Sequence, residues 1–191
     1  MSTDDNAAGT AEEAQVEVVD TFDDTIWDTV NRTLRAVDVR PERSALDLII
    51  HIPHADIIRG LRMLKQDADL QFNYLRCLTA VDNESEGIDV VYQLYSVPKN
   101  INLTVKTTLP NENKVIETAT TVWKAANWLE RETAEMFGVS FSGHPDPRPL
   151  LMPEDIDMSD TYPLLKSHPF AEIDVLQGEI LGHDRDAEGE G

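Results

Sequence analysis

Acidic, basic and imidazole side chains crowd into one short stretch, residues 130–148. The residues with chemical potential there are Glu130, Arg131, Glu132, Glu135, His144, Asp146 and Arg148. A histidine beside carboxylates can carry out general acid–base catalysis. Arginine and glutamate also form charge-assisted hydrogen bonds at protein interfaces. The residue types alone therefore leave both a hydrolase and a docking surface open.

Prolines separate these two interpretations. Six of the ten prolines lie between Pro145 and Pro169. Because proline fixes its backbone torsion and has no N–H, such a stretch can neither continue a helix nor pair as an interior strand. Side chains that alternate with prolines project outward along an extended chain rather than converging in a pocket. The pattern favours a docking arm over residues 143–170, with local turn stabilisation as the alternative, and disfavours catalysis by His144.

A helix is predicted immediately before this arm. Over residues 122–137 the apolar side chains follow mostly three- and four-residue steps, which is typical of one buried helical face. Thr120 or Thr121 can cap the start of the helix, and Gly138 stands where a helix ends in the left-handed conformation. The helix would therefore deliver the chain directly into the arm.

Three consecutive charged residues, Glu130, Arg131 and Glu132, lie on this helix. Consecutive residues fan across the helix circumference, so they cannot all face water equally, and we expect at least one to contact a partner. Trp123 and Trp128 are expected to pack in the core or at an interface.

Other kinds of site have little support in the sequence. His51 and His54 flank Pro53 at a corner, and the two further ligands that zinc needs are not nearby. Cys77 is the single cysteine, which excludes an internal disulfide and cannot hold an iron–sulfur cluster alone. No glycine-rich loop for NADH, flavin or nucleotide is found, so we predict no catalytic residue, cofactor site or metal site in this chain.

Charge is concentrated at the two ends of the chain. The formal net charge is −20; residues 1–28 carry nine acids and no lysine or arginine, and residues 172–191 carry seven acids and one arginine. Acidic flexible tails are therefore predicted at 1–21 and 171–191, around a domain at 22–142 and the arm. The lack of a basic stripe disfavours nucleic-acid binding. We also expect neither a signal peptide nor a membrane span.

The remaining segments predict the fold class. The order is a helix at 22–37, a strand at 44–52, a helix from Pro53 to Lys65, a strand at 70–81, two strands at 88–97 and 103–109, and the helix before the arm. This order predicts an α+β domain with a largely antiparallel sheet and helices on one face, followed by the extended proline-rich arm.

The same region resembles a known family. The elements that carry the resemblance are Glu130-Arg131-Glu132, Glu135-Met136-Phe137-Gly138, Gly143-His144-Pro145-Asp146, Arg148, Met152-Pro153-Glu154-Asp155 and Tyr162-Pro163-Leu164 with Lys166. This run is similar to the C subunit of respiratory complex I, the 30 kDa subunit family of proton-pumping NADH:quinone oxidoreductases. The chain departs from the family pattern at Leu165-Lys166-Ser167, where a basic pair and an acid are usual.

The resemblance implies a structural role. Such a subunit lacks cofactors and supports the large subunit that lines the quinone cavity, in the peripheral arm on the cytoplasmic side of the membrane. NADH, FMN, iron–sulfur clusters and quinone are then expected in other subunits. The residues expected to dock this partner are Glu130, Arg131, Glu132, Glu135, His144, Asp146, Arg148, Tyr162 and Lys166.

Three alternatives remain at this stage. The chain could be the equivalent subunit of a membrane-bound hydrogenase or of a complex fed by ferredoxin or a deazaflavin. It could instead be a freestanding module whose acidic ends bind a basic protein. A hydrolase that uses His144 is the third, and it predicts turnover by the isolated chain.

Overall fold

The computed structural model describes residues 24–42, 48–152 and 162–168. Both predicted acidic tails, 1–21 and 171–191, lie outside these residues, as do residues 153–161, 169 and 170 of the predicted arm. An extended course over all of 143–170 therefore stays a prediction.

The described residues contain three α-helices and seven strands. They are α1 (Asp24–Thr33), β1 (Arg40–Glu42), β2 (Ile49–His51), α2 (Ile57–Gln66), β3 (Tyr74–Asp82), β4 (Ile88–Ser96), β5 (Ile101–Leu109), β6 (Val115–Glu117), α3 (Ala126–Phe137) and β7 (Ser140–Ser142).

Five strands form the main sheet in the order β1-β2-β5-β4-β3. Three of its four pairings are antiparallel, as the sequence predicted, and β2 with β5 is parallel. The sheet is therefore mixed. The parallel pairing arises because the chain leaves β2 through α2 and passes through β3 and β4 before β5 returns beside β2.

Side chains of alternating burial along the strands place one face of the sheet against the hydrophobic core. In β5, Leu103, Val105 and Leu109 are buried while most of the residues between them are more exposed, and β4 contributes the fully buried Tyr92. These side chains join apolar residues of all three α-helices in a single cluster. The α+β fold class is thus confirmed, and the predicted hairpin of β4 and β5 is present.

The helix before the arm begins later than predicted. Residues 119–121 form a 3₁₀ turn, and α3 starts only at Ala126. Thr118, rather than Thr120 or Thr121, caps this turn, because its side chain accepts the N–H of Thr120. Lys65 at the end of α2 donates to the carbonyl of Val122 and lies over the ring of Trp123. These contacts hold the entry to α3 against the core.

The end of α3 matches the sequence prediction. Gly138 adopts φ +73°, and its N–H donates to the carbonyl of Ala134. The chain then enters β7, which pairs in parallel with β6 in a small second sheet. Gly143, at φ +79°, follows β7 and starts the arm. The second sheet therefore fixes the point at which the arm leaves the domain.

Several boundaries near the N-terminus differ from the predictions. The first helix is shorter than 22–37 and ends at Thr33. Residues 43–47 lie outside the described part, and within the described residues the strand predicted at 44–52 is present as Ile49–His51. The short edge strand β1 was not predicted, because Pro41 interrupts an already polar segment.

Candidate functional site

Glu130 is buried on the side of α3 that faces the core, although its position in a charged run suggested a docking role. Its side chain is fully buried. One carboxylate oxygen accepts the hydroxyl of Thr118 at 2.5 Å, and the other accepts the N–H of Ala119 at 2.6 Å. Burial raises the pKa of Glu130 to about 7, against the opposing effect of these two hydrogen bonds. Glu130 therefore ties α3 to the turn that precedes it.

His144 lies beside Glu130 and is almost fully buried. Its Nδ1 accepts the N–H of Asp146 at 3.1 Å, so the ring proton is on Nε2, which lies 3.1 Å from the carbonyl oxygen of Asn127. The Nε2 atom is also 3.8 Å from a carboxylate oxygen of Glu130. This approach packs the imidazole against the buried carboxylate. His144 thus anchors the first residues of the arm to α3.

Arg131 and Glu135 hold the next part of the arm by its backbone. Arg131 donates from Nε to the carbonyl of Arg148 at 2.7 Å and from Nη2 to the carbonyl of Pro149 at 2.8 Å. The carboxylate of Glu135 accepts the N–H groups of Leu150, Leu151 and Met152 at 2.9, 2.9 and 3.2 Å. We call this pair of residues with their five hydrogen bonds the arm clamp.

Two features of the sequence explain the arm clamp: the spacing of its residues on α3 and the position of Pro149 in the arm. Residues four apart on a helix are neighbours, so Arg131 and Glu135 both face the arm. Pro149 has no N–H, and the three consecutive amides begin directly after it. Carbonyls therefore meet the arginine and amides meet the glutamate. The described segment 143–152 lies along its own domain, where the sequence suggested side chains that project outward.

Asp146 and Arg148 form a pair at the surface of the arm. Arg148 donates to both carboxylate oxygens of Asp146, at 2.7 and 2.9 Å. This hydrogen bonding lowers the pKa of Asp146 to about 2, with help from the charges of Arg148 and Arg131. The Arg148 side chain remains 70% exposed. Unlike Glu130, this pair is accessible from solvent.

A second segment of the arm, residues 162–168, contacts the other end of α3. The N–H of Leu164 donates to the carbonyl of Met136 at 3.1 Å, and a Cβ built on Gly138 would lie 2.8 Å from the ring of Tyr162. Lys166 donates its N–H to Asp82 at 2.8 Å, and its ammonium lies 3.2 Å from Glu84. The arm is therefore fastened to the domain at two places.

Two surface residues of α3 complete the region. Glu132 is exposed, and Trp128 is 61% exposed, so Trp128 does not pack in the core, whereas Trp123 does. The guanidinium of Arg131 lies 5.4 Å from the centre of the Trp128 ring. The periodicity of the sequence could not distinguish the two tryptophans, because both precede or begin the same amphipathic helix.

The structure thus brings together most of the residues predicted for the site. Those near one another around α3 and the first part of the arm are Glu130, Arg131, Glu135, His144, Asp146 and Arg148. Lys166 lies at the separate second contact, and Glu132 faces solvent. Sequence reasoning missed Thr118 and Asn127, which bind the buried side chains. The side-chain oxygen of Thr118 before an apolar helix was the available signal.

A small cleft of about 230 Å³ lies between α3, β7 and the arm. Glu130, Arg131, His144 and Tyr162 line part of it. Both carboxylate oxygens of Glu130 and both ring nitrogens of His144 already face hydrogen-bonding groups of the chain. Since both side chains are also almost fully buried, the geometry does not favour the hydrolase interpretation.

The two histidines considered for metal binding lie on the opposite part of the sheet. His51 is 2.7 Å from Glu42, which also accepts Lys106 at 2.9 Å, and this pairing lowers the pKa of Glu42. His54 lies in an exposed turn. Among the described residues no three side chains of His, Cys, Asp or Glu are grouped as a metal site would require. Within the same residues, no helix is both long and apolar enough to span a bilayer.

Comparisons with known proteins agree with the motif run. A family model described as the respiratory-chain NADH dehydrogenase 30 Kd subunit matches residues 50–173. The NADH-quinone oxidoreductase C subunit of Trichlorobacter lovleyi is 38% identical over 136 residues, covering 70% of this chain and 80% of that protein. Its namesake from Geobacter sulfurreducens is 36% identical with the same coverage.

Solved structures show the same fold. A chain from the membrane-bound sulfane sulfur reductase, an archaeal respiratory membrane complex, has a TM-score of 0.67 at 25% identity and covers 87% of this chain and 96% of its own. The trypsin-resistant fragment of Nqo5 has a TM-score of 0.50 at 24% identity and covers 64% of this chain and 97% of its own. The family model spans more than half of the sequence and includes both contacts of the arm. The chain therefore belongs to the family of the respiratory-chain NADH dehydrogenase 30 Kd subunit.

Proposed function

We propose that this chain is a non-catalytic structural subunit in the peripheral arm of a proton-pumping NADH:quinone oxidoreductase of the complex I type. The observation that carries the proposal is the family match over residues 50–173, which includes most of the main sheet, α3 and the arm together. The relatives at 36–38% identity are named as the C subunits of NADH-quinone oxidoreductases. The chain would support the large subunit that lines the quinone site.

The arm and α3 are the proposed contact with that large subunit. The buried side chains of Glu130, Glu135 and His144 would not contact the partner. They would hold the arm and the start of α3 in position, because they form hydrogen bonds with their own chain. Arg131 would share this task through the clamp. The surface offered to the partner would include Glu132, Asp146, Arg148, Tyr162 and Lys166. Prolines and the clamp order this surface before binding, which reduces the entropy lost on docking.

Electron transfer would take place elsewhere in the assembly. NADH, FMN, iron–sulfur clusters and quinone belong, in this proposal, to neighbouring subunits. The chain would lie on the cytoplasmic side of the membrane, attached through the complex. Mutations that release it should lower the amount of assembled complex and leave the redox chemistry of complexes that retain it unchanged.

A pull-down tests this assignment. The tagged full-length chain is expressed in its native cells, membranes are solubilised in mild detergent, and the co-purifying chains are identified by mass spectrometry. We expect an NADH-binding flavoprotein subunit, iron–sulfur subunits and the quinone-site large subunit in fixed ratio with the chain. Recovery of the chain as a stable monomer without these subunits would contradict the proposal and support a freestanding binding module.

The sulfane sulfur reductase supports a second candidate. Its chain covers more of this sequence than the C subunits of Trichlorobacter lovleyi and Geobacter sulfurreducens do, at 25% identity. The protein could accordingly serve a related respiratory membrane complex that takes electrons from a donor other than NADH. The same pull-down distinguishes the two, because such a complex would contain the quinone-site homologue but no NADH-binding flavoprotein subunit.

A further inference from the structure

An exposed ridge runs along the start of α3, directly beside the arm clamp. It consists of Lys124, Trp128 and Glu132, and we call it the outer ridge. Trp128 and Glu132 are one helical turn apart, and Lys124 lies in the turn that leads into the helix. All three side chains are exposed, and Trp128 is one of the large apolar residues with more than half of its surface open to solvent.

The charged ends of the outer ridge have no ion-pair partner among the described residues. Neither Lys124 nor Glu132 uses its side chain in a hydrogen bond or ion pair within the described part of the chain. The other charged residues of α3 differ: Glu130, Arg131 and Glu135 each make at least two hydrogen bonds within the chain. Within the described residues, Glu132 is therefore the charged side chain of α3 that the fold leaves without a hydrogen bond or ion pair.

Trp128 is held in place from one side. The guanidinium of Arg131 lies 5.4 Å from the centre of its ring, and the arm carbonyls of Arg148 and Pro149 fix that guanidinium in turn. The Arg131 side chain is only 11% exposed, so it is packed against the domain and does not extend into solvent. An indole ordered in this way loses little freedom on binding, which is typical of an interface anchor.

We infer that the outer ridge is a docking surface for another protein subunit, whose apolar recess receives Trp128 between a carboxylate facing Lys124 and a basic side chain facing Glu132. Complementary charge supports this choice of occupant, because a lysine and a glutamate flank the indole and each lacks an ion-pair partner in the described chain. A second copy of the chain is a poorer occupant, since each copy carries a net charge of −20. The inference rests on the proposed function and adds a specific contact to it.

Retention of the chain in detergent-solubilised complex tests this inference. Complexes that carry Trp128→Ala, Lys124→Glu or Glu132→Lys are washed with rising salt, and the bound fraction is measured over time against wild type. For Trp128→Ala we expect dissociation at least about 30-fold faster, the lower limit for an interface anchor. Each charge reversal should accelerate dissociation by a smaller factor that shrinks as salt increases.

Val97→Ala is the matched control. Val97 is an apolar residue of similar exposure, 60%, in the turn between β4 and β5, and its substitution should leave retention unchanged. Circular dichroism and the thermal midpoint of each isolated variant check that the domain is folded. The two charge reversals keep the test valid if Trp128→Ala proves unstable.

The outcomes separate this inference from the proposed function. If wild type co-purifies with the complex and the three ridge variants are retained equally well, the outer ridge is not the contact and the proposed function still stands. If wild type fails to co-purify, the proposed function itself is wrong, and the inference that rests on it fails too. A wild-type dimer in solution that Trp128→Ala converts to a monomer would assign the ridge to a second copy and overturn the inference.

Discussion

Adjacent stripes of α3 carry similar charged residues and use them in opposite ways. On the side toward the arm and core, Glu130, Arg131 and Glu135 bond to the chain's own backbone and to Thr118. On the outer ridge, Glu132 is exposed beside the open face of Trp128. The difference shows that some residues of a charged run hold the backbone of their own chain in place, while others remain exposed at the surface.

Helix geometry explains this division. Successive residues are about 100° apart around an α-helix, so a three-residue charged run spans more than half of the circumference. Arg131 and Glu135 are neighbours because they are four apart, and Trp128 and Glu132 are neighbours for the same reason, so the two pairs form adjacent stripes along the helix. The motif therefore contains residues that bind the chain's own arm and residues that are exposed to solvent, and their spacing along the helix determines which is which.

Removal of Glu135 should have the largest effect. Glu135→Ala takes away the acceptor of three consecutive amides, those of Leu150, Leu151 and Met152. Because hydrogen bonds to a charged group contribute more than neutral ones, and the freed amides can turn to water, we expect the arm to open more easily by about 3 kcal/mol. Hydrogen exchange of the isolated chain should show protection of these amides falling by roughly a hundredfold.

Glu132→Ala provides the comparison for that experiment. It removes the same side chain from the same helix at a position that forms no hydrogen bond or ion pair in the described chain. Exchange at residues 150–152 should then match wild type, and exchange of the β4 amides should be unchanged in both variants. Equal protection of the arm amides in Glu135→Ala and wild type would show that the clamp does not hold the arm in solution.

Glu130 should make the stability of the domain depend on pH. Burial raises its pKa from 4.5 to about 7, so the folded chain binds the proton more tightly than the unfolded chain does. The stabilisation from this proton is complete below about pH 4.5 and is lost as the pH rises to about 7. Linkage gives a loss of about 3 kcal/mol across this window.

Urea denaturation at a series of pH values measures this effect as the difference between wild type and Glu130→Gln. Glutamine does not ionise, so the difference between their unfolding free energies should change between about pH 4.5 and 7. The carboxylates with lowered pKa values, such as Asp67 and Asp82, act at lower pH and are common to both proteins. Parallel curves for the two proteins across this window would show that Glu130 does not titrate there.

The end of α3 offers a smaller test of the arm-facing side. Gly138 and Gly143 both have positive φ, which costs an alanine about 1 kcal/mol. At Gly138 the added Cβ would also meet the Tyr162 ring at 2.8 Å, whereas at Gly143 its nearest neighbour is Thr118 at 3.6 Å. We expect Gly138→Ala to destabilise by about 2 kcal/mol and Gly143→Ala by about 1 kcal/mol, measured by denaturant unfolding. Equal losses would mean that Tyr162 moves away freely.

Much of the fold followed from the sequence because local signals were consistent with the final packing. Alternation along 88–97 and 103–109 predicted the hairpin, and Gly138 predicted the end of α3. The start of α3 could not be predicted in this way. Residues 122–125 continue the apolar period, but Lys65 and the carboxylate of Glu130 bind the turn at 119–122, and such tertiary contacts override a local period.

The site was predicted as a set of residues but not as a set of contacts. Side-chain types identify Arg131 and Glu135 as strong hydrogen-bonding groups, and they do not say whether the partner is another chain or the arm of the same chain. A clue was present in the order of the arm: after Pro149 come three residues that each have an N–H. Glu135 lies four positions after Arg131 on the preceding helix, so the acceptor side chain comes after the donor side chain, just as the N–H groups of the arm come after the carbonyls.

Lys166→Ala should have the smallest effect on the free energy of unfolding. It tests whether the side chain contributes to the second contact of the arm. Its ammonium lies 3.2 Å from Glu84, and both side chains are more than half exposed, so the ion pair should contribute less than about 0.5 kcal/mol. The backbone N–H of Lys166, which binds Asp82, is retained in the variant. Unfolding of Lys166→Ala in urea should therefore match wild type within error, while Asp82→Asn should show the larger loss. If Lys166→Ala proved the more damaging of the two, the side chain rather than the backbone would fasten this end of the arm, in contrast to the clamp.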